Sequence, residues 1–538
     1  MQVKLKKWSA TWIAVMLLAT LLSACSGSNG NNNATDSASP ESTSGASKEK
    51  VTLKVEVFDR GNAPAGAGPV TDNFWTKWIQ ENFGDPNNIK LEFVPVPRNQ
   101  EVDKLNVLMA TGDAPDLVFT YDMNTIYNYV KDDGLTDLTS HIENAPNLKQ
   151  FLGDDVLNYG VFNGKQYTIP AKRPLQFTQS TYIRKDWLDK LGLPVPTTTE
   201  QFYETLKAFK EKDPGQTGGK VIPYDFSAIN GTSITTPFVL VNSFVKKMTD
   251  EQFYTLTTSS HIPEITKPGY KEGVLYLNKL NQEGLINPDF ALDKDGKQFE
   301  SDIANGIVGS FTALAAHQNL MSPGKVFDTL KQNVPGAEYI AIDPFTDEEG
   351  KTPKSIYDPI GMHIMIPKTS KHAAEAIKYL DWMAQEDVLF TLQNGMEGEH
   401  YTLENEFPKA IATDEAKKTF YNNNDIALIA NGKDFGSTDK NIEAAAYAFP
   451  GYEEVAQQSI RNALKDGYTM PRFDRPIEAE IKYGNTLKEK AYETIVKSVL
   501  AKPDQFDKIF DGGVAEYMKL GGQAIQDERL AAYREMEK

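Results

Sequence analysis

The chain has 538 residues, 40% of them hydrophobic and 24% charged, with a formal net charge of −18 and a single Cys. That length exceeds one ordinary hydrophobic core and predicts two or more lobes. An acidic balance of 74 Asp and Glu against 56 Lys and Arg argues against nucleic acid as partner, because phosphate binding needs clustered positive charge. One Cys excludes an intramolecular disulfide and any Cys-based zinc site.

Taken in chain order, the sequence begins with an address. Lys4, Lys6 and Lys7 form a positive stretch, and Trp12 to Leu22 is an apolar run too short to span a bilayer. The run ends in Leu22-Ser23-Ala24-Cys25, which resembles the bacterial lipobox. That resemblance implies a signal peptide over 1–25, cleavage before Cys25, and acylation of its thiol, including palmitate. An ordinary signal peptide with a chance Cys is the alternative. Residues 26–50 carry no large apolar side chain and are expected to form a disordered tether. Losing three lysines with the leader makes the body more acidic still, so acyl chains rather than surface charge would hold it at a membrane.

In the body, Val51, Leu53, Val55 and Val57 alternate with polar residues and predict a half-buried strand. A Gly/Pro loop (Gly61 to Pro69), a helix near Asn73 to Glu81, a strand at Ile89 to Val94, a helix at Glu101 to Ala110 and a strand at Asp116 to Thr120 follow. Such alternation indicates an α/β layer with a mostly parallel sheet. Further on, the pattern predicts a strand at Thr181 to Arg184. A helix opened by Thr197 follows, with Glu200 completing a capping box. A strand at Gly361 to Ile366, an amphipathic helix at Lys371 to Gln385 and a helical end from about Pro476 complete the chain. No 20–50-residue repeat is present.

Catalytic signatures are missing: neither Gly-x-Ser-x-Gly nor His-Glu-x-x-His occurs. Gly215 to Val221 is one residue short of a phosphate loop and has no Ser or Thr after Lys220. The six His are never at metal-ligand spacing. Paired carboxylates of a glycosidase assemble only in three dimensions and stay open.

Five stretches, in order behind the lipobox, carry a further resemblance: Leu105 to Val118, Tyr182 to Val195, Asn305 to Gly309, Gly361 to Trp382 and Gly395 to Tyr401. Together they resemble the extracellular solute-binding proteins of ABC transporters. The similarity is to the large lipoprotein sugar binders related to alginate-binding proteins, and more distantly to maltose-binding protein. The resemblance implies an α/β, two-lobed periplasmic-binding-protein-like fold with a hinge and an interlobe ligand cleft. One lobe would hold 51–175 and 361–450, the other 176–360 and 451–538. Alginate-binding relatives carry a calcium loop after the Thr-capped helix. In the matching turn here Asp213 remains, but Gly215 and Val221 stand where oxygen ligands are needed, so the site is expected to be lost.

A sugar site needs aromatic platforms beside planar donors and acceptors. The family pattern puts Asp59, Arg60, Tyr121 and Asp122 at cleft-facing strand ends, with a turn salt bridge as the alternative for the first two. Arg173, Gln179, Tyr182 and Arg184 flank the first crossing, although Arg184 with Asp186 and Trp187 equally reads as a structural cluster. Phe311, Thr312 and His317 follow the Gly309 strand, His363 lies at the next crossing, and Tyr401 follows the Gly-Glu-His run. Arg60, Arg173 and Arg184 would make an acidic sugar bindable if two or more face inward.

The expected function is a lipid-anchored receptor on the extracytoplasmic face of the cell membrane, delivering an oligosaccharide to ABC permease subunits by lobe motion. A monomer, no cofactor, no metal and no catalysis are expected. The alternatives are a tethered polysaccharide-degrading enzyme, or a sensor lipoprotein or peptide binder.

Overall fold

The computed structural model describes residues 50–226, 238–258, 262–293, 295–411, 413–473 and 475–537. Cys25, the leader and all of the tether but Lys50 lie outside them. The first stretch runs β1 (Val51–Asp59), α1 (Phe74–Ile79), β2 (Ile89–Pro97), α2 (Glu101–Thr111), β3 (Val118–Thr120), α3 (Met123–Lys131) and β4 (Thr168–Lys172). It continues through β5 (Gln179–Arg184), α4 (Thr199–Lys212), β6 (Ile222–Asp225), β7 (Val308–Leu314) and β8 (Tyr339–Ile342). The last part holds β9 (Ile360–Met365), α5 (Ala373–Met383), α6 (Thr438–Ala446), α7 (Glu453–Leu464) and α8 (Glu478–Leu500).

In the first sheet β1 lies parallel to β2 and is bridged to the start of β3 through Val55 and Leu117. Asp116 locks that edge, accepting from the Lys54 N–H at 2.8 Å and from the Ser370 hydroxyl at 2.7 Å. The approach to β3 is set by α2, which ends at Gly112 in the left-handed region (φ +76°). A Cβ there would be strained, and the turn returns the Asp113 N–H to Leu108 O at 3.1 Å. Beyond β3 the sheet does not stay parallel, because β9 runs antiparallel to both β3 and β4. It re-enters this sheet from the opposite side, which reverses its direction.

A second sheet has the order β8-β5-β7-β6, with β8 and β7 antiparallel to β5 and only β6 parallel to β7. The expected mostly parallel sheet is therefore corrected: of these strands only β1 with β2 and β6 with β7 pair in parallel. Helix α4 starts one residue later than expected: Thr198 is the cap, accepting from the Gln201 N–H at 3.2 Å, while the Gln201 side chain accepts from Thr197 N at 2.8 Å.

The fold is two-lobed α/β, and its cores show the division. One core collects β1, β2, Phe119, Ile169, alternate residues of β9, the buried face of α5 and Ile426 to Ala430. Others form around β5 to β8 and α8, and around Phe311, Tyr339, Ile442, Ala446, Phe449 and Ile460. Three connecting segments lie side by side between the sheets. Lys172 N donates to Ile429 O and Asn431 N to Lys172 O, while Arg173 N donates to Pro359 O and Tyr357 N to Gln176 O, all at 2.7–2.8 Å. Short backbone-paired connectors of this kind absorb rotation between rigid bodies.

Candidate functional site

The connecting segments meet the ends of β1 and β3 in a cluster of arginines and aromatic rings. Phe58, the last apolar residue of β1, is buried edge-on against Phe119 and stacks on Tyr121 at 6.4 Å with an interplanar angle of 19°. Arg98, just past β2, places its guanidinium 5.0 Å from the Phe58 ring and 4.8 Å from the Tyr121 ring. Glu101 opens α2 and orients this group: one carboxylate oxygen accepts from Arg98 at 2.6 Å, the other from the Thr120 hydroxyl at 3.1 Å. Around Arg98, Glu101, Tyr121 and Asp122 lies a hollow of about 420 Å³.

Asn431 ties this wall to the hinge. Its amide nitrogen donates to the Tyr121 hydroxyl and its carbonyl accepts from Arg173 Nε, both at 3.1 Å. The close approach depends on Gly361 in β9, where a Cβ would sit 2.6 Å from that of Asn431. Arg173 also donates to Asp358 O at 3.3 Å and lies 4.5 Å from the centroid of Tyr357, a ring 44% exposed. Burial pushes the Tyr121 hydroxyl up, opposed by Arg98, Arg173 and Arg60. Burial likewise raises Asp358, opposed by Arg173 and Arg472. Arg472 in turn stacks 4.7 Å from the Tyr159 ring and donates to Tyr159 O at 3.1 Å.

Of the residues expected from sequence, the structure brings Arg60, Tyr121, Asp122 and Arg173 to this cluster. Arg60 forks onto Asp425 with both bonds at 2.7 Å, which raises its already high pKa. Asp59 accepts from Gly61 N at 2.9 Å in a turn, and Asp122 caps α3 by accepting from Thr125 N at 2.7 Å. Gln179 begins β5, half-buried opposite Leu314.

Several expectations are corrected. Tyr182 and Phe311 stack at 4.9 Å in the second lobe's interior, with the Tyr182 hydroxyl donating to Leu314 O. Thr312 is buried between Thr181 and Tyr224 at 3.1 and 2.7 Å. Arg184 is fully buried, forked on Asp186 and stacked on Trp187 at 4.7 Å. His317 caps the short 318–321 helix, accepting from Asn319 N at 3.1 Å. His363 is buried with Nδ1 2.7 Å from the Thr168 hydroxyl, and burial pulls its pKa down to about 3. Tyr401 packs edge-on against Phe390, 9% exposed. Burial on both faces removes the alternation that would show which of these side chains reach a surface.

Sequence reading missed Arg98, Tyr357, Asp425 and Asn431. Position after a strand was a usable signal for Arg98, as it was for Arg60. Asn431 and Tyr357 lie in irregular segments, and only the fold brings them beside Tyr121 and Arg173.

Asp213 serves its own turn, accepting from Thr217 N and Oγ1 at 2.9 Å and from Gly219 N at 3.1 Å. No group of three or more His, Cys, Asp and Glu able to hold a metal ion occurs among the described residues, and no helix among them is long and apolar enough to cross a membrane.

Two lobes, paired connectors and a polar-aromatic wall at the hinge define a solute-binding fold. The family model for bacterial extracellular solute-binding proteins matches residues 68–388, and the chain belongs to that family. It is 24% identical to Lipoprotein LipO of Bacillus subtilis over 99% of both chains. It is also 26% identical to the polygalacturonan/rhamnogalacturonan-binding protein YtcQ of the same organism, over 83% of this chain and 86% of that one. Among solved structures, the Streptococcus pneumoniae substrate-binding protein FusA in complex with kestose is similar (TM-score 0.62, 16% identity, 90% of this chain and 99% of that one). The alginate-binding protein AlgQ2 is too (TM-score 0.61, 20% identity, 90% and 98%).

Proposed function

We propose that this protein is the receptor of an ABC importer for an oligosaccharide. The solute would be taken between lobes formed by 51–172 with 360–431 and by 179–355 with 438–537; this moves 438–450 from the lobe expected for them to the other, whose core Ile442, Ala446 and Phe449 share with Phe311 and Tyr339. The observation that carries the reading is Tyr357: a hinge aromatic held by Arg173, exposed beside the donors and acceptors of Asn431, Arg173 and Tyr121. An exposed ring takes the C–H face of a sugar, and planar amide and guanidinium groups take its hydroxyls. The named ligands of YtcQ and FusA support this class. Acylation at Cys25 would hold the body at the extracytoplasmic face of the cell membrane, a reading supported by similarity along the whole chain to a lipoprotein. The receptor binds and releases its solute without chemistry.

Isothermal calorimetry with a panel of neutral and acidic oligosaccharides tests the proposal. Binding is expected for at least one, with Tyr357→Ala weakening it about tenfold, the equivalent of ~1.4 kcal/mol. Silence across the panel, or glycan turnover by the purified protein, contradicts it.

A further inference from the structure

Arg173 lacks the direct carboxylate partner that Arg60 and Arg98 have, and Asp358 acts on it only through space. Arg60 is forked onto Asp425 and Arg98 is held by Glu101, whereas Arg173 bonds only to the Asn431 amide oxygen and the Asp358 backbone oxygen. Among the described residues no carboxylate forms an ion pair with it, and its Nη2 has no hydrogen-bond partner. The guanidinium is nonetheless half-buried and desolvated, which pulls its pKa down. A cation withdrawn from water without a directly paired counter-charge gains when one arrives. Its free donor is Nη2, and the ring it covers, Tyr357, is still partly exposed for a neighbouring sugar.

Resting on the oligosaccharide reading, we propose that the solute supplies a direct counter-charge: the site selects uronate-containing oligosaccharides, with one carboxylate accepting from the free Nη2 of Arg173. A guanidinium N–H donated to a carboxylate is a charge-assisted hydrogen bond, about twice as strong as one donated to a neutral sugar hydroxyl. Arg173 and Arg472 share only the through-space effect of Asp358, which suits a monoanion, while a phosphate dianion would add excess negative charge beside that carboxylate. Of the arginines expected from sequence to favour an acidic sugar, only Arg173 fills the role. Arg184 is buried in the second lobe and Arg60 is neutralised.

The test uses oligogalacturonate and oligomannuronate, each paired with its carboxyl-reduced neutral counterpart, in calorimetry on the whole chain. At least one acid is expected to bind about tenfold or more tighter than its reduced partner. Its affinity should fall with salt, and Arg173→Gln should bring the pair within about twofold. Equal affinities of acid and reduced forms in the wild type overturn the proposal without any variant. So does an acid preference that survives Arg173→Gln. Binding of neutral oligosaccharides alone overturns this inference and leaves the receptor reading standing; binding of no oligosaccharide removes both.

Discussion

Glu56 shows how burial of a half-satisfied carboxyl sets protonation at a single residue. Glu56 in β1 accepts from Phe119 N at 3.0 Å through one oxygen, while the other is buried without a partner. Burial pushes its pKa from 4.5 to about 8, opposed by that hydrogen bond and reinforced by Glu101. Between those values the folded chain holds a proton that the unfolded chain releases. The contribution is fully present below about pH 4.5 and is lost as pH rises through about 8. Asp225, buried and raised to about 8, acts in the same sense, while His363 acts oppositely and only below its unfolded value of 6.5. Denaturant unfolding from pH 6.5 to 7.5 should therefore show stability falling with pH. Glu56→Gln should make that slope shallower by about 1.4 kcal/mol per pH unit, one proton's worth. An unchanged slope would show that Glu56 is ionised in the native state.

At the scale of elements, a buried lysine anchors the chain where a connector begins. Lys354, immediately before the second connector, is buried and donates to both Asp343 oxygens at 3.1 and 3.0 Å. It also donates to Thr352 Oγ1 and to the carbonyls of Asn462 and Lys465. Lys354→Met should cost about 3–5 kcal/mol, because Asp343 and two carbonyls lose their donor. A loss below about 1 kcal/mol in urea unfolding would contradict this. The elements themselves were largely legible. Alternation from Val51 to Val57 marked β1, and the Gly112-Asp113 turn marked the end of α2, because local patterning decides both. Direction in the sheets was not legible, since β9 is antiparallel to β3 through where the chain re-enters, which no local pattern records. The site divides in the same way. Tyr121 and Arg173 follow strand ends and could be found, whereas Asn431 reaches them across more than two hundred residues of chain.

For the whole molecule, three backbone-paired connectors between two separate sheets make rotation of one lobe against the other the cheapest large motion. In the proposed receptor, a solute held at the aromatic and guanidinium wall beside the connectors would touch elements of both lobes and favour their approach. Small-angle X-ray scattering of the purified chain, with and without a saturating oligosaccharide shown by calorimetry to bind, tests this most directly. The account predicts a smaller radius of gyration in the saturated sample. Scattering profiles that superimpose with ligand bound would contradict it.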